Sequence, residues 1–355
     1  MKRKGYHPFP QPLAILLDEH DGTPTVTSAC VRCKAFDGFP CLTNGKADAQ
    51  IICVEPALKF PNVTLLTNAY VERLETDARG RTVTAVHVKR GNDHEFYEAD
   101  IVVVACGALS SSLLMLRSAS DTHPTGLANG SDQVGRNYMR HNNSAMMAVS
   151  RHVNDTIFQK TMALNDFYFG ADDWDYPLGG IQLLGKSHGA QVRAEALPQI
   201  LNWLPKMPFD EIARHSIDFW LMSEDLPHPD NRITMGSDGR IKLDIKVNNL
   251  EAHRRLRKKL EEILKAIDIR PHLINRSLYL GKDIPIGGTA HQAGTMKFGT
   301  DPKTSVLDIN CKAHQLDNLY VADASFFVSI GAVNPTLTII ANALRIGDHL
   351  EKRIK

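Results

Sequence analysis

The run Ile101-Val102-Val103-Val104 constrains the fold of this chain more than any other feature. Four consecutive β-branched residues read as a fully buried parallel strand, because a strand covered on both faces has no need of polar alternation. Cys106-Gly107 closes the run, and a Leu-rich segment from Leu109 to Leu116 follows at helical spacing. Strand, glycine turn and helix in that order predict an α/β architecture with a parallel sheet. The chain nevertheless lacks the turn with which a complete dinucleotide-binding fold opens. No two of its 24 glycines lie two residues apart, so no G-x-G-x-x-G loop occurs anywhere.

Around that strand the pattern changes twice. The first sixty residues are irregular and rich in Pro, Gly and Cys. Strand-like runs follow at Val63 to Leu66, Val83 to Val88 and His94 to Tyr97, with punctuation at Gly80 and at Gly91-Asn92-Asp93. From about Ser144 to Gly288 the expectation is antiparallel strands with helices. Ile241, Leu243, Ile245 and Val247 alternate with polar residues after the Ser237-Asp238-Gly239 turn. Arg257 to Ile267 reads as an amphipathic helix with Leu260, Ile263, Leu264 and Ile267 on one face. The basic run from His253 to Lys259 is followed at once by Glu261 and Glu262, which marks a solvated helix face rather than a nucleic-acid surface.

Composition supports this reading by exclusion. A net charge of +1 gives no electrostatic footprint for nucleic acid. No apolar run approaches the length of a membrane span, and the charged N-terminus lacks a signal-peptide core, so a cytoplasmic location is expected unless an export signal preceded Met1. No G-x-S-x-G elbow, P-loop or H-E-x-x-H occurs.

Chemistry concentrates near the C-terminus. AHQAGTMKFGT carries His291, LYVADASFF carries Asp323, and GAVNPTLTIIANALRIGDHL carries Asn334. Asn before Pro335 is a helix-start signal, with Asn as N-cap. Leu337, Ile340, Ala341 and Leu344 recur at helical spacing, which predicts a helix buried along that face. Oxidising CH–OH to C=O needs a base that titrates near neutrality, for which imidazole is suited, and a hydride acceptor, which no side chain provides.

These segments, in this order, resemble the C-terminal part of the glucose-methanol-choline (GMC) family of flavin oxidoreductases. The resemblance implies that His291 is the catalytic base and that Asn334 holds the substrate oxygen, the His-Asn pairing found in members acting on sterols and sugars. It also implies FAD as cofactor. Gly107 and Ala108 would lie at the close backbone approach, Asp323 and Ala324 beside the flavin, and Asn334, Pro335 and Thr336 at a helix N-terminus aimed at its ring. VGRNYMRH, from Val134 to His141, resembles the segment where the family's chain leaves its flavin domain. The fold implied is α/β (α+β): an incomplete Rossmann-like FAD-binding domain with an antiparallel-sheet substrate domain. Its parts are a flavin-covering segment over 1–60, FAD-binding parts over 61–143 and 289–355, and the substrate domain over 144–288. Met1, followed by KRK and HPFPQP, looks like the middle of a family member. That implies either a truncated gene, and with it an inactive remnant, or a split enzyme whose dinucleotide-binding start is a partner chain.

Cys30-x-x-Cys33, with Cys41 and Cys53, is the other candidate for chemistry. Two thiolates two residues apart can chelate one ion, but no second pair or nearby His completes a familiar metal spacing. No metal site is expected. The competing reading is a metal-stabilised interaction module built on these cysteines.

Overall fold

A computed structural model of the chain describes residues 1–21, 23–33, 39–196, 207–236, 238–267, 269, 274–275 and 290–355. The chain divides into two units. The first comprises Met1–Leu65, Asn143–Ser223 and Glu251–Ile286; the second comprises Leu66–Asn142, Glu224–Leu250 and Gly287–Lys355. Among the described residues, no helix is long and apolar enough to cross a membrane.

The first unit is organised on a six-stranded sheet. Its order is Phe9–Pro10, Met162–Leu164, Gly180–Leu183, Ser216–Ser223, Asn142–Val149 and Ile274–Asn275. The described registers are antiparallel, the pairing expected for 144–288, although the alternating run Ile241 to Val247 that suggested it lies in the second unit. Helix Leu250–Ala266 packs on the sheet because Ala252, Leu256, Leu260, Ile263 and Leu264 form one buried stripe against Met146, Ile181, Phe219 and Leu221. Each such Leu or Ile stabilises the unit by roughly 1.5–3 kcal/mol. The helix starts earlier than the predicted 257–267, since Ala252 and Leu256 extend the same stripe toward the N-terminus. Its basic face is ion-paired: Arg254 and Arg255 with Glu251, Arg257 with Glu261, and Lys259 with Asp173.

In the second unit an antiparallel ribbon joins Tyr70–Thr76, Val83–Arg90 and Asp93–Tyr97. The last two strands match expectation, and Gly91 makes their turn at φ 61°. The first does not. Val63 to Leu66 forms no strand, and Val63, Leu65 and Leu66 are exposed; pairing begins at Tyr70, where Leu74 supplies the buried side chain. An apolar run is no strand without a partner to cover it.

Val102–Val104 is the expected parallel strand, paired in register with Leu319–Val321. Its burial is one-sided. Val104 is inside, but Val103 is 45% exposed, because this sheet has two strands among the described residues and only one face is covered. The helix after the turn, Ala108–Arg117, buries Ala108, Leu113, Leu114 and Met115. Met115 and Leu114 enter the unit's main core with Tyr320, Val321, Met296 and Leu307. The hairpin Arg232–Met235 with Ile241–Asp244 places Ile233 against Leu113 and Tyr138. Its second strand stops at Asp244, so the alternation read through Val247 continues as irregular chain; Ser237 of its turn lies outside the described residues.

Helix Thr336–Ile354 corrects two expectations. Pro335 occupies the N-cap and no side chain closes it, so Asn334 is not the cap. The buried face is Ile346, with Ile339 and Leu350 packed against the core, whereas Leu337 and Leu344 are 73% and 67% exposed. Ala341 is exposed and Ile340 half-buried. The helix carries two apolar stripes, and periodicity alone does not say which one meets the core.

Candidate active site

Strand register, not sequence proximity, assembles the site in the second unit. Gln292–Ala293 pairs antiparallel with Met139–Arg140, matching Gln292 to Arg140 and Ala293 to Met139. One step further along the same ladder, His291 faces His141. Their Nδ1 atoms are 2.9 Å apart, with ring centroids at 4.9 Å and planes at 80°. His141 is buried and His291 half-buried. Gly294 then turns at φ 88°, where a Cβ would meet the Asn137 carbonyl oxygen at 2.4 Å, so the turn admits only glycine without displacement. The Gly294 and Met296 amides donate to the carbonyls of Ala324 and Ser325 at 3.1 and 3.0 Å. The AHQAGTM segment is thereby held on both sides.

Burial, reinforced by the neighbouring His291, pushes the His141 pKa down to about 4, and the Ile330 and Gly331 backbone offsets part of that fall. His141 is therefore a neutral imidazole at pH 7. The loop it lies against is pinned by Glu224, whose Oε1 accepts from the Ser329 hydroxyl and, at 3.3 Å, from the Gly331 amide. Asn334 stands three residues beyond Gly331, exposed, ahead of the buried Pro335. The next residue after Glu224, Asp225, accepts from the Arg140 amide at 3.0 Å, and burial raises its pKa to about 6.

Asp323 is placed centrally but is saturated by the protein itself. Its Oδ2 accepts from the Gly107 amide at 2.9 Å and from the Ser111 hydroxyl, and its Oδ1 from the Ser325 amide at 2.8 Å and the Ser325 hydroxyl at 2.5 Å. What it contributes is the position of Gly107, Ala108 and Ala324 rather than a spare carboxylate. Gly107 has φ 83° and nothing within 4 Å of where a Cβ would stand, while Ala105 and Cys106 beside it are exposed. This leaves open ground over the N-terminus of Ala108–Arg117. Thr336, Leu337 and Thr338 are likewise exposed at the start of the C-terminal helix, whose first turn holds no acidic side chain. Both features fit a cofactor with negative charge and a flat ring.

Sequence reading missed His141, Glu224 and Ser329. His141 closes the VGRNYMRH segment singled out above, yet its meaning comes from a partner 150 residues away. No sequence signal marks Glu224.

Cys30, Cys33, Cys41 and Cys53 lie in the first unit, and Cys106 and Cys311 in the second. Cys30, Cys33 and Cys41 line one cavity of about 40 Å³, whereas among the described residues no group of three or more His, Cys, Asp or Glu is arranged to hold a metal ion. Hydrogen bonding from the Thr43 side chain, then from nearby amides including Gly45, brings the Cys41 thiol down to about 7. Because the thiolate is the nucleophile, iodoacetamide should label Cys41 with a rate that falls as pH drops through about 7, while buried Cys30 stays unreacted. Mass spectrometry across pH 6–9, with Cys41→Ser as control, reads this out. Joint protection of Cys30, Cys33 and Cys41 together with equimolar iron or zinc would instead identify the thiols as ligands.

Family models of GMC oxidoreductases match residues 22–143 and 227–343. The chain belongs to the GMC oxidoreductase family. It is 31% identical to 6'''-hydroxyparomomycin C oxidase of Streptomyces lividus, over 98% of this chain and 62% of that protein. It is 30% identical to paromamine 6'-oxidase of Streptomyces fradiae, over 96% of this chain and 61% of that protein. The chain thus spans a little over three fifths of the length of these two relatives. Among solved structures, formate oxidase from Aspergillus oryzae, studied for its FAD modification, superposes with a TM-score of 0.61 at 16% identity, over 87% of this chain and 63% of the other. That likeness establishes the fold.

Proposed function

We propose that this chain is the catalytic portion of an FAD-dependent oxidoreductase that converts a CH–OH group to a carbonyl. The observation that carries the proposal is the His141–His291 pair, a half-exposed imidazole backed by a buried one that meets the Ile330 and Gly331 backbone ahead of Asn334. His291 takes the hydroxyl proton of the substrate. Asn334 donates a hydrogen bond to the same oxygen and so orients the carbon that is oxidised. FAD, when bound, supplies the hydride acceptor. Gly107, Ala108 and Ala324 would receive it through backbone atoms, with Asp323 holding that turn in place, and Asn334, Pro335 and Thr336 would stand at its ring.

The relatives named for 6'''-hydroxyparomomycin C and for paromamine favour a polyhydroxylated, sugar-like alcohol as substrate. Anaerobic single-turnover bleaching of the flavin tests this, in protein loaded with FAD and, where loading requires it, supplied with a strand–GxGxxG–helix segment by fusion or co-expression. Paromamine-type amino sugars should bleach the flavin faster than sterols or simple alkanols. Asn334→Ala should slow bleaching by roughly 10- to 100-fold, because it removes an orienting hydrogen bond and leaves the proton acceptor. Stoichiometric FAD that no alcohol bleaches would refute the proposal.

A further inference from the structure

The register that opposes His141 to His291 has a chemical consequence for which of the two nitrogens of His291 carries a proton. A neutral imidazole has one N–H and one lone pair, and the hydrogen bond at one nitrogen fixes the tautomer. His141 is 3% exposed, its Nδ1 faces His291, its Nε2 is buried without a hydrogen-bond partner, and the Ile330 and Gly331 backbone favours a proton on the ring. Backbone groups that favour the protonated ring act as acceptors, and with Nδ1 turned to His291 the nitrogen left to meet them is Nε2. The proton of His141 therefore belongs on Nε2, which leaves its Nδ1 as an acceptor.

We propose that His141 is a positioning residue which, by accepting a hydrogen bond from His291 Nδ1–H across 2.9 Å, holds His291 in the tautomer whose lone pair is on Nε2. The proposal rests on the reading of His291 as the base but is separable from it. Free imidazole side chains favour the opposite tautomer, with the proton on Nε2, so without His141 the proton-accepting lone pair would sit on the inner nitrogen. The near-perpendicular rings, at 80°, also limit rotation of His291 about its own axis. The loop of Ser329 and Gly331, anchored by Glu224, closes the other side of His141, so one buried ring sets both the tautomer of His291 and the approach of the Asn334 loop.

The test is nitrogen-15 NMR of the full chain labelled at histidine, with His291 assigned by His291→Gln. At pH 8, parent His291 should show Nδ1 protonated and Nε2 as a lone-pair nitrogen, with coupling to His141 Nδ1. His141→Phe should move His291 toward the Nε2–H tautomer, while His141→Asn, whose amide oxygen can replace Nδ1 as acceptor, should restore the parent pattern. In the FAD-loaded enzyme, His141→Phe should lower kcat by roughly 10- to 100-fold with little change in KM, and His141→Asn should recover most of that loss. A parent spectrum with His291 protonated on Nε2 overturns the proposal, even if neither variant folds. The parent tautomer as stated, together with full activity of His291→Ala, would leave the positioning intact and remove the base assignment.

Discussion

Replacing His291 with Ala should slow single-turnover bleaching of bound flavin by an alcohol substrate roughly 10²- to 10⁴-fold, the range for loss of a positioned general base. The size of the effect follows from what remains. Once the imidazole is gone, the neighbouring His141 ring stays buried, and burial, the larger cause of its depressed pKa, keeps it a weak base that does not replace His291. Water has to accept the proton without fixed geometry. FAD binding should be unchanged, since the Gly107 turn and the Asp323 clamp lie on other segments. If His291→Ala bleached its flavin at the parent rate, the base would have to be sought elsewhere in the chain.

The largest structural effect is expected at Asp323. Its carboxylate takes four donors, from Gly107, Ser111 and two groups of Ser325, and Ser111 in turn accepts from the Cys106 amide. Asp323→Ala leaves the Ser111 and Ser325 donors buried and the Gly107 amide half-buried without this acceptor, at about 1–3 kcal/mol for each that finds no substitute. A destabilisation of roughly 4 kcal/mol should result, with Asp323→Asn milder because one amide oxygen still accepts. The described tryptophans, Trp174 and Trp220, belong to the first unit and would report poorly on it. Hydrogen exchange in Ala108–Arg117 is the appropriate measurement. Exchange there as slow as in the parent would mean that the turn is held by something other than this carboxylate.

Local pattern made much of the fold legible. Helices Ala108–Arg117 and Leu250–Ala266 follow from apolar spacing, and the ribbon strands Val83–Arg90 and Asp93–Tyr97 from alternation around a glycine turn. Errors arose where an apolar residue had to choose between neighbours that the sequence does not display. Val63 to Leu66 has the composition of a strand and no partner; the C-terminal helix has two apolar stripes, and the one with Ile339, Ile346 and Leu350 went inside. In the candidate site, His291, Asn334 and Asp323 were visible as parts of motifs. Their supports were not, because His141 and Glu224 act through pairings at separations of 150 and 107 residues. Asp323 shows the converse: the motif named the residue, and only the hydrogen bonds showed that both its oxygens are already engaged.

The second unit is interrupted after Asn142 and resumes at Glu224, and the Asn142 side-chain amide donates to the Glu224 carbonyl at 3.4 Å and to the Asn248 carbonyl at 2.9 Å. The two ends of the intervening stretch are thus tied together beside His141 and the Glu224 anchor. Insertions whose ends are close and fixed are the ones a host fold tolerates. In lineage terms the knot fixes where this stretch enters and leaves, while its interior can change only in step with helix Leu250–Ala266 and the strands Phe9–Pro10 and Ile274–Asn275 that share its core and sheet. For protein engineering, a graft between 142 and 224 would have to bring a new partner for the apolar stripe of Leu250–Ala266.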